Sequence, residues 1–245
     1  MTTIRDEGED TPLGRLWSAL GDRAQAGGLE LSAEFACVAA ADRLGMTGAC
    51  LVVADAAGAG VPRYASGELG TRLMQLGVTV GEGPVAEVLD TATPVFAADL
   101  TSGASQRRWP LFTPLAVAEG VSACYGLPLV VGAIRVGVLT LYGTEVRDIG
   151  PDRLGEALLY ADVVLYLLIA EQEGHDIARP ENGFPVAAPE VHQATGMVAA
   201  QLDVGIEDAF ARLRARAFAD GRGLTDVAAD VVARRLRFER GNDRH

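Results

Sequence analysis

Hydrophobic residues recur at helical spacing early in the chain. Between residues 12 and 25 they follow the i, i+3, i+4, i+7 pattern of an amphipathic helix, which Gly27-Gly28 would end. The pattern consists of Leu13, Leu16, Trp17 and Leu20. A second helix is predicted over residues 32–45, where the Ser32 side chain would cap the first turn. Two helices are therefore expected before the first strand.

Uninterrupted apolar runs predict the strands that follow. The predicted strands are residues 48–55, a partner at 63–67, a strand at 94–98 and a pair within 122–143 that turns near Gly132. A short helix at 84–91 and a loop with a helix over 107–120 lie between them. Because helices alternate with antiparallel strands, the sequence predicts an α+β fold, specifically an α/β/α sandwich around an antiparallel sheet.

The longest predicted helix, residues 151–174, has two apolar sides. One side repeats at the 4-3 spacing of a coiled coil and consists of Leu154, Leu158, Ala161, Leu165 and Leu168. The second side consists of Leu159, Val163, Tyr166 and Ile169. A helix with two apolar sides needs two partners. We predict that one is the domain's own sheet and the other a second copy of the protein, so that the heptad seam forms a homodimer. The alternative is a helix buried wholly within one domain.

Pro- and Gly-rich sequence without periodicity, within residues 174–190, marks a linker. Beyond it the pattern predicts three helices, over residues 189–202, 206–220 and 225–238. The expected organisation is an N-terminal amphipathic helix at 1–28, a first domain at 29–172, a linker at 173–188 and a three-helix domain at 189–240.

Charge is unevenly distributed between the predicted domains. The chain has 33 acidic residues against 21 basic ones, which gives a net charge of −12, and every basic residue is arginine. No global cationic field therefore attracts nucleic acid or membrane. Residues 186–245, however, hold nine acidic residues and nine arginines, so this part of the chain is neutral and rich in arginine.

Three features predict a cytoplasmic protein without a membrane segment. The opening MTTIRDEGED is acidic, unlike a secretory signal peptide. The most apolar stretch, residues 157–170, contains Asp162 and is shorter than the about 20 residues that span a bilayer. The chain has an odd number of cysteines, namely Cys37, Cys50 and Cys124, and no CxxC spacing, which favours a reducing compartment.

Two regions of the chain resemble known families. The blocks HQATGMV, IEDAFARLRARA and LTDVAADVV resemble, in order and spacing, the ANTAR domain of bacterial transcription antitermination regulators over residues 187–240. Residues 29–172 resemble a GAF domain through GEGPVAEVLDTATPVFAADL, RWPLF and GVSACYGLPLVVGAIRVGVLTLYG. The chain is thus similar to actinobacterial GAF and ANTAR domain regulators. It departs from the ANTAR pattern at Thr195, where a basic residue is usual, and at Val198-Ala199, where Leu-Met is usual.

The ANTAR resemblance implies a regulator that binds paired RNA stem-loops and frees a transcript from termination. Specific RNA recognition reads unstacked loop bases at close range, and a small, uncharged helix face permits that approach. The residues expected on this face are Gln193, Ala194, Gly196, Met197 and Ala200. The arginines expected to neutralise phosphates are Arg212, Arg214 and Arg216 on the second helix, with Arg234 and Arg235 on the third. Close helix packing is the alternative reason for the glycine.

The GAF resemblance implies a sensor of a small molecule or of redox state, whose ligand the sequence does not name. RNA polymerase is a further expected partner, beside the second copy of the protein that the heptad seam predicts. Haem is not expected, because the histidines, His175, His192 and His245, all lie outside the first domain.

No catalytic constellation emerges from the residues, and the protein is predicted not to be an enzyme. GAGVP and GEGPV lack the lysine of a phosphate-binding loop and are predicted turns. Cys50 and Cys124 fall in predicted strands, where we expect them in the core. Two alternatives stay open: a GAF-type methionine sulfoxide reductase that uses the cysteines, and a module whose last three helices bind another protein.

Overall fold

A computed structural model describes residues 11–55, 58–131, 134–173, 189–202, 204, 209, 212–213, 216 and 224–238. The chain divides into an N-terminal unit, Met1–Val186, and a C-terminal unit, Ala187–His245. The predicted linker beyond residue 173 lies outside the described residues. Within the described ranges, no helix is long and apolar enough to cross a bilayer.

One antiparallel sheet forms the centre of the N-terminal unit. Its strands are β1 Gly48–Ala54, β2 Gly60–Ala65, β3 Val95–Ala97, β4 Ala123–Val131 and β5 Ile134–Gly143. They lie in the order β2-β1-β5-β4-β3, and each neighbouring pair runs antiparallel. The register places Cys50 and Gly126 on either side of Thr140, so these three residues form a row on one face. The predicted antiparallel sheet is confirmed.

Helices cover both faces of this sheet, as an α/β/α sandwich requires. They are α1 Pro12–Ala26, α2 Ala33–Leu44, α3 Gly67–Val80, α4 Pro84–Thr91, α5 Gly103–Arg108, α6 Phe112–Ala118 and α7 Gly150–Glu173. Helices α2 and α7 pack on the sheet and against each other, and α1 packs on both of them. The opposite face, which bears Cys50 and Val138, packs against buried side chains of α3, α4 and α6. The α+β class predicted from the sequence is therefore confirmed.

Local signals explain several helix ends. The Ser32 hydroxyl accepts a hydrogen bond from the Phe35 N–H at 3.1 Å, as predicted for the cap of α2. Helix α2 ends where Gly45 adopts a left-handed conformation with φ 66°. Helix α3 is missing from the predicted elements, although Leu69, Leu73, Leu76 and Val80 recur at helical spacing and pack in or against the core. Tertiary packing is what stabilises that helix.

The predicted dimer seam on α7 is wrong. The five seam residues, Leu154, Leu158, Ala161, Leu165 and Leu168, are each at most 7% exposed in a single chain. Helix α7 obtains both of its partners from its own unit: the sheet on one side, and α1 and α2 on the other. The second flank contributes Tyr166, whose ring packs edge-on against Trp17 with centroids 5.2 Å apart. The alternative of a helix buried within one domain therefore holds, because heptad spacing does not distinguish a partner helix of the same chain from a second copy.

The C-terminal unit is helical, with α8 Pro189–Leu202 and α9 Leu224–Val232. Its buried core consists of Ala194, Val198, Leu202, Ala209, Leu213, Val227, Ala228 and Val231. Residues 209, 212, 213 and 216 are helical, and the rest of the predicted second helix lies outside the described residues. Helix α9 ends six residues before the predicted residue 238, because Arg234 takes a φ of 59° and the Arg235 N–H bonds back to the Asp230 carbonyl.

Candidate functional site

One side of α8 presents uncharged residues to solvent, and two of them, Gly196 and Ala200, are small. Gln193, Gly196 and Ala200 are exposed, and Met197 is half-buried with its side chain against the core. At 100° per residue these four positions fall within about 100° of one another around the helix. A Cβ built on Gly196 meets no atom within 4 Å among the described residues. Among the described residues nothing packs against this position, which favours an exposed surface over the packing explanation for this glycine.

Ala194 does not belong to that face. It is fully buried in the core of the C-terminal unit, so its expected contact with RNA is corrected. The family departures also fall on packed positions: Thr195 is 2% exposed, Val198 is fully buried and Ala199 packs against the core. Substitutions there alter the packing of α8 more directly than they alter its exposed side.

The predicted arginines occupy two kinds of position. Arg212 and Arg216 are exposed, and their i, i+4 spacing places them on one side of a helix. Arg234 and Arg235 lie in the turn after α9. The sequence prediction had placed both of them on the third helix. The Arg235 Nε lies 2.7 Å from Asp230 Oδ1, which offsets part of its charge. Arg214 lies outside the described residues.

A second candidate site is a cavity of about 260 Å³ in the N-terminal unit. Its walls come from α3 and α4, through Leu73, Met74, Val85 and Leu89. Cys50, Cys124 and Thr140 line it from the sheet, and Phe112 lines it from α6. These residues are separated by up to 90 positions in sequence, and the unassigned helix α3 supplies one wall, so hydrophobic patterning alone could not locate the cavity.

The predicted turn GEGPV closes one side of the cavity. Gly83 has a φ of 108°, and a Cβ there would lie 2.8 Å from the Phe112 ring, so glycine is required by both conformation and space. The Glu82 carboxylate accepts hydrogen bonds from the Leu111 N–H at 2.9 Å and the Phe112 N–H at 3.4 Å. Glu82 thereby holds the start of α6, and with it the Phe112 ring, against the cavity.

The cysteines are buried, as expected of core residues. Burial raises the pKa of the Cys50 thiol to about 12, and it also raises the pKa of Cys37 and of Cys124. Cys50 Sγ also donates a hydrogen bond to the Gly70 carbonyl at 3.4 Å. All three are free thiols. Since the thiolate is the reactive form of cysteine, this environment disfavours the reductase alternative.

Thr140 differs from the other side chains that line the cavity. The residue is 2% exposed, and its hydroxyl has no hydrogen-bond partner among the described residues. Burying a hydroxyl without a partner costs about 1–3 kcal/mol. An unpartnered hydroxyl at the edge of an apolar cavity points to a ligand or a water molecule as its missing partner.

Comparison with known proteins identifies both units. Residues 29–164 match the model of the GAF domain, and residues 187–232 match that of the ANTAR domain. The chain therefore belongs to the GAF domain family and carries an ANTAR domain after it. A GAF domain is a small-molecule sensing domain and an ANTAR domain is an RNA-binding antitermination module, so the two define a GAF and ANTAR domain-containing regulator.

Similar solved structures include two GAF domains of phosphoenolpyruvate-protein phosphotransferases. The one from Acinetobacter is 12% identical, covers 67% of this chain and 98% of that chain, and has a TM-score of 0.47. The one from Coxiella burnetii is 15% identical, covers 67% and 99%, and has a TM-score of 0.45. No curated protein matches the chain.

Proposed function

We propose that the protein binds paired RNA stem-loops through the exposed side of α8 and thereby controls transcription termination in the cytoplasm, with its GAF domain sensing a small molecule. The observation that carries this proposal is the open surface at Gly196, flanked by exposed Gln193 and Ala200. A solvent-facing glycine lowers helix stability by roughly 0.5–1 kcal/mol relative to alanine. Close approach by a partner is a reason to tolerate that cost.

The chemistry of this side suits an exposed RNA loop. An unstacked base can approach the backbone at Gly196, while the Gln193 amide can both donate and accept hydrogen bonds at a base edge. Met197 adds a polarisable contact that adapts to the shape of a base. Exposed Arg212 and Arg216 supply positive charge for phosphates, which predicts binding that weakens as salt concentration rises.

The same proposal includes a homodimer and no catalytic activity. Two adjacent stem-loops suit two ANTAR domains, and joining two weak sites raises the overall affinity. Since the α7 seam is buried within one chain, a dimer must use another surface. Light scattering of the full chain tests this part, and a stable monomer at all concentrations contradicts it. RNA polymerase remains a predicted partner from the family resemblance.

Gel shifts with the full chain test the RNA assignment. The probe is an RNA with two adjacent stem-loops, measured against a single stem-loop and an unstructured competitor. Gln193→Ala should weaken binding about fivefold to tenfold, as expected for a lost hydrogen bond of about 1 kcal/mol or slightly more. Gln25→Ala is the matched control, because Gln25 is also an exposed helical glutamine but lies on α1.

Equal effects of the two glutamine variants would contradict the proposed face. A chain that binds none of these RNAs at low salt would overturn the RNA assignment and favour the alternative in which the last three helices bind a protein.

A further inference from the structure

The cavity of the N-terminal unit has the size of a small ring system. Cavities of about 150 Å³ lined by apolar side chains hold benzene, and drug-sized ligands need about 300 Å³ or more. At about 260 Å³ this cavity lies between the two. Its walls are almost wholly hydrocarbon, through residues such as Leu73, Val85 and Phe112. Its volume and walls therefore fit an apolar molecule of one or two rings.

The charge around the cavity excludes an anion. Glu82 is the single charged residue among the described residues that line it. Its carboxylate already accepts the N–H groups of Leu111 and Phe112, so it is held in place as a negative charge. A phosphate or carboxylate would enter beside a like charge, and no arginine is among the described residues that line the cavity. Arg135, which is not one of them, already donates a hydrogen bond to the Leu89 carbonyl at 2.9 Å.

The floor of the cavity specifies one polar group. The row across the sheet places Thr140 between Cys50 and Gly126. Cys50 is a protonated thiol that donates to the Gly70 carbonyl, and Gly126 has no side chain. The Thr140 hydroxyl is therefore the group at this floor that both lacks a partner among the described residues and can donate or accept a strong hydrogen bond.

We propose that this cavity binds a small, neutral, mostly apolar molecule of one or two rings, with a single hydroxyl or N–H group hydrogen-bonded to the Thr140 Oγ1. This inference rests on the proposed sensing role of the GAF domain and specifies the class of molecule sensed. It also specifies what is rejected: nucleotides and other anions of similar size.

Three probes with one ring system separate these features: 2-naphthol, naphthalene and 2-naphthoate. Calorimetry measures the binding of 2-naphthol to the full chain. The affinities of naphthalene and 2-naphthoate follow from their competition with 2-naphthol. We expect 2-naphthol to bind best. The carboxylate should bind at least about a hundredfold more weakly, because burying an unpaired charge costs several kcal/mol.

Substitutions at Thr140 test the hydrogen bond. Thr140→Val keeps the shape of the side chain and should weaken 2-naphthol binding about tenfold, with naphthalene binding unchanged. Thr140→Ser retains the hydroxyl and should restore most of the affinity. The valine variant should fold at least as stably as the parent chain, because it removes a buried hydroxyl that has no partner among the described residues.

A cavity-filling variant tests the location. Gly77 lies on α3 at the cavity wall, and a Cβ there meets no atom within 4 Å among the described residues. Gly77→Leu should therefore fill the space, abolish binding of 2-naphthol and leave the chain folded. Gly21→Leu is the matched control, because Gly21 is a helical glycine with equally open space on α1, away from the cavity.

The proposal is overturned if 2-naphthoate binds as tightly as 2-naphthol, if Thr140→Val leaves 2-naphthol binding unchanged, or if no probe binds the parent chain. The sensing role has its own measurement: the gel shift of tandem stem-loop RNA with and without 2-naphthol. Binding that follows the predicted order but leaves RNA affinity unchanged supports the cavity assignment and refutes the sensing role.

Discussion

Replacing Gly196 separates contact with RNA from the stability of the fold. The residue is exposed, and a Cβ there meets no atom within 4 Å among the described residues. Gly196→Ala should therefore stabilise the chain by roughly 0.5–1 kcal/mol, the usual gain on removing glycine from a helix interior. Gly196→Glu should stay within about 1 kcal/mol of the parent chain, since it adds no clash. Denaturant unfolding of the full chain measures both changes.

The two Gly196 variants should rank differently in RNA affinity than in stability. A carboxylate placed about 4 Å from a phosphate is repelled by about 1 kcal/mol in water and about 4 kcal/mol at the effective dielectric of a protein surface. Gly196→Glu should therefore weaken RNA binding by between about fivefold and several hundredfold, on the scale where 1.4 kcal/mol is tenfold. Gly196→Ala should have a smaller effect, because a methyl group only narrows the approach. Gel shifts at fixed salt measure the series.

A matched variant controls for added charge. Gly21→Glu makes the same substitution at a helical glycine of α1 with equally open space, and it should leave RNA affinity nearly unchanged. A contact between RNA and the α8 surface at Gly196 is refuted if folded Gly196→Glu binds RNA as the parent chain does. It is refuted equally if Gly196→Ala lowers stability, because the glycine would then be packed and not exposed.

Two further predictions concern the N-terminal unit. Leu165→Ala should destabilise the chain by about 2–5 kcal/mol without changing its oligomeric state, because the side chain is 1% exposed within a single chain. Leu115→Ala is the control, because Leu115 is 46% exposed. Light scattering that shows dissociation of a folded Leu165→Ala variant would restore the α7 seam as a dimer interface. The Cys50 pKa rises from 9.0 to about 12 on burial, so the folded state holds its proton more tightly than the unfolded chain does. The contribution of this thiol to stability should be complete below pH 9 and should decline as the pH rises toward 12. Denaturant unfolding of Cys50→Ala over this pH range would contradict the prediction if the variant loses as much stability as the parent chain.

Short-range patterns predicted the elements that depend on local chemistry. The cap at Ser32, the apolar runs of β4 and β5, and the turn at Gly83 all follow from residues within a few positions of one another. The same holds for α8, whose buried Val198 and exposed Gly196 lie where helical periodicity places them. Ala194 shows the limit of reading a face from residue size alone, since alanine is as common in a core as on a contact surface.

The sequence by itself determined that a helix with two apolar sides lies at about residues 151–174, which the structure has as Gly150–Glu173. It also determined that α8 carries small residues at spacings that reach solvent. Only the tertiary structure decided what covers those sides. Leu165 is buried by helices and a sheet of its own chain, whereas Gly196 remains open. The cavity is likewise a tertiary feature, because Thr140 becomes an unpartnered floor residue only when strands and helices distant in sequence close around it. Hydrophobic periodicity indicates which side of a helix or strand is apolar. The partner that buries this side depends on contacts between segments far apart in the chain.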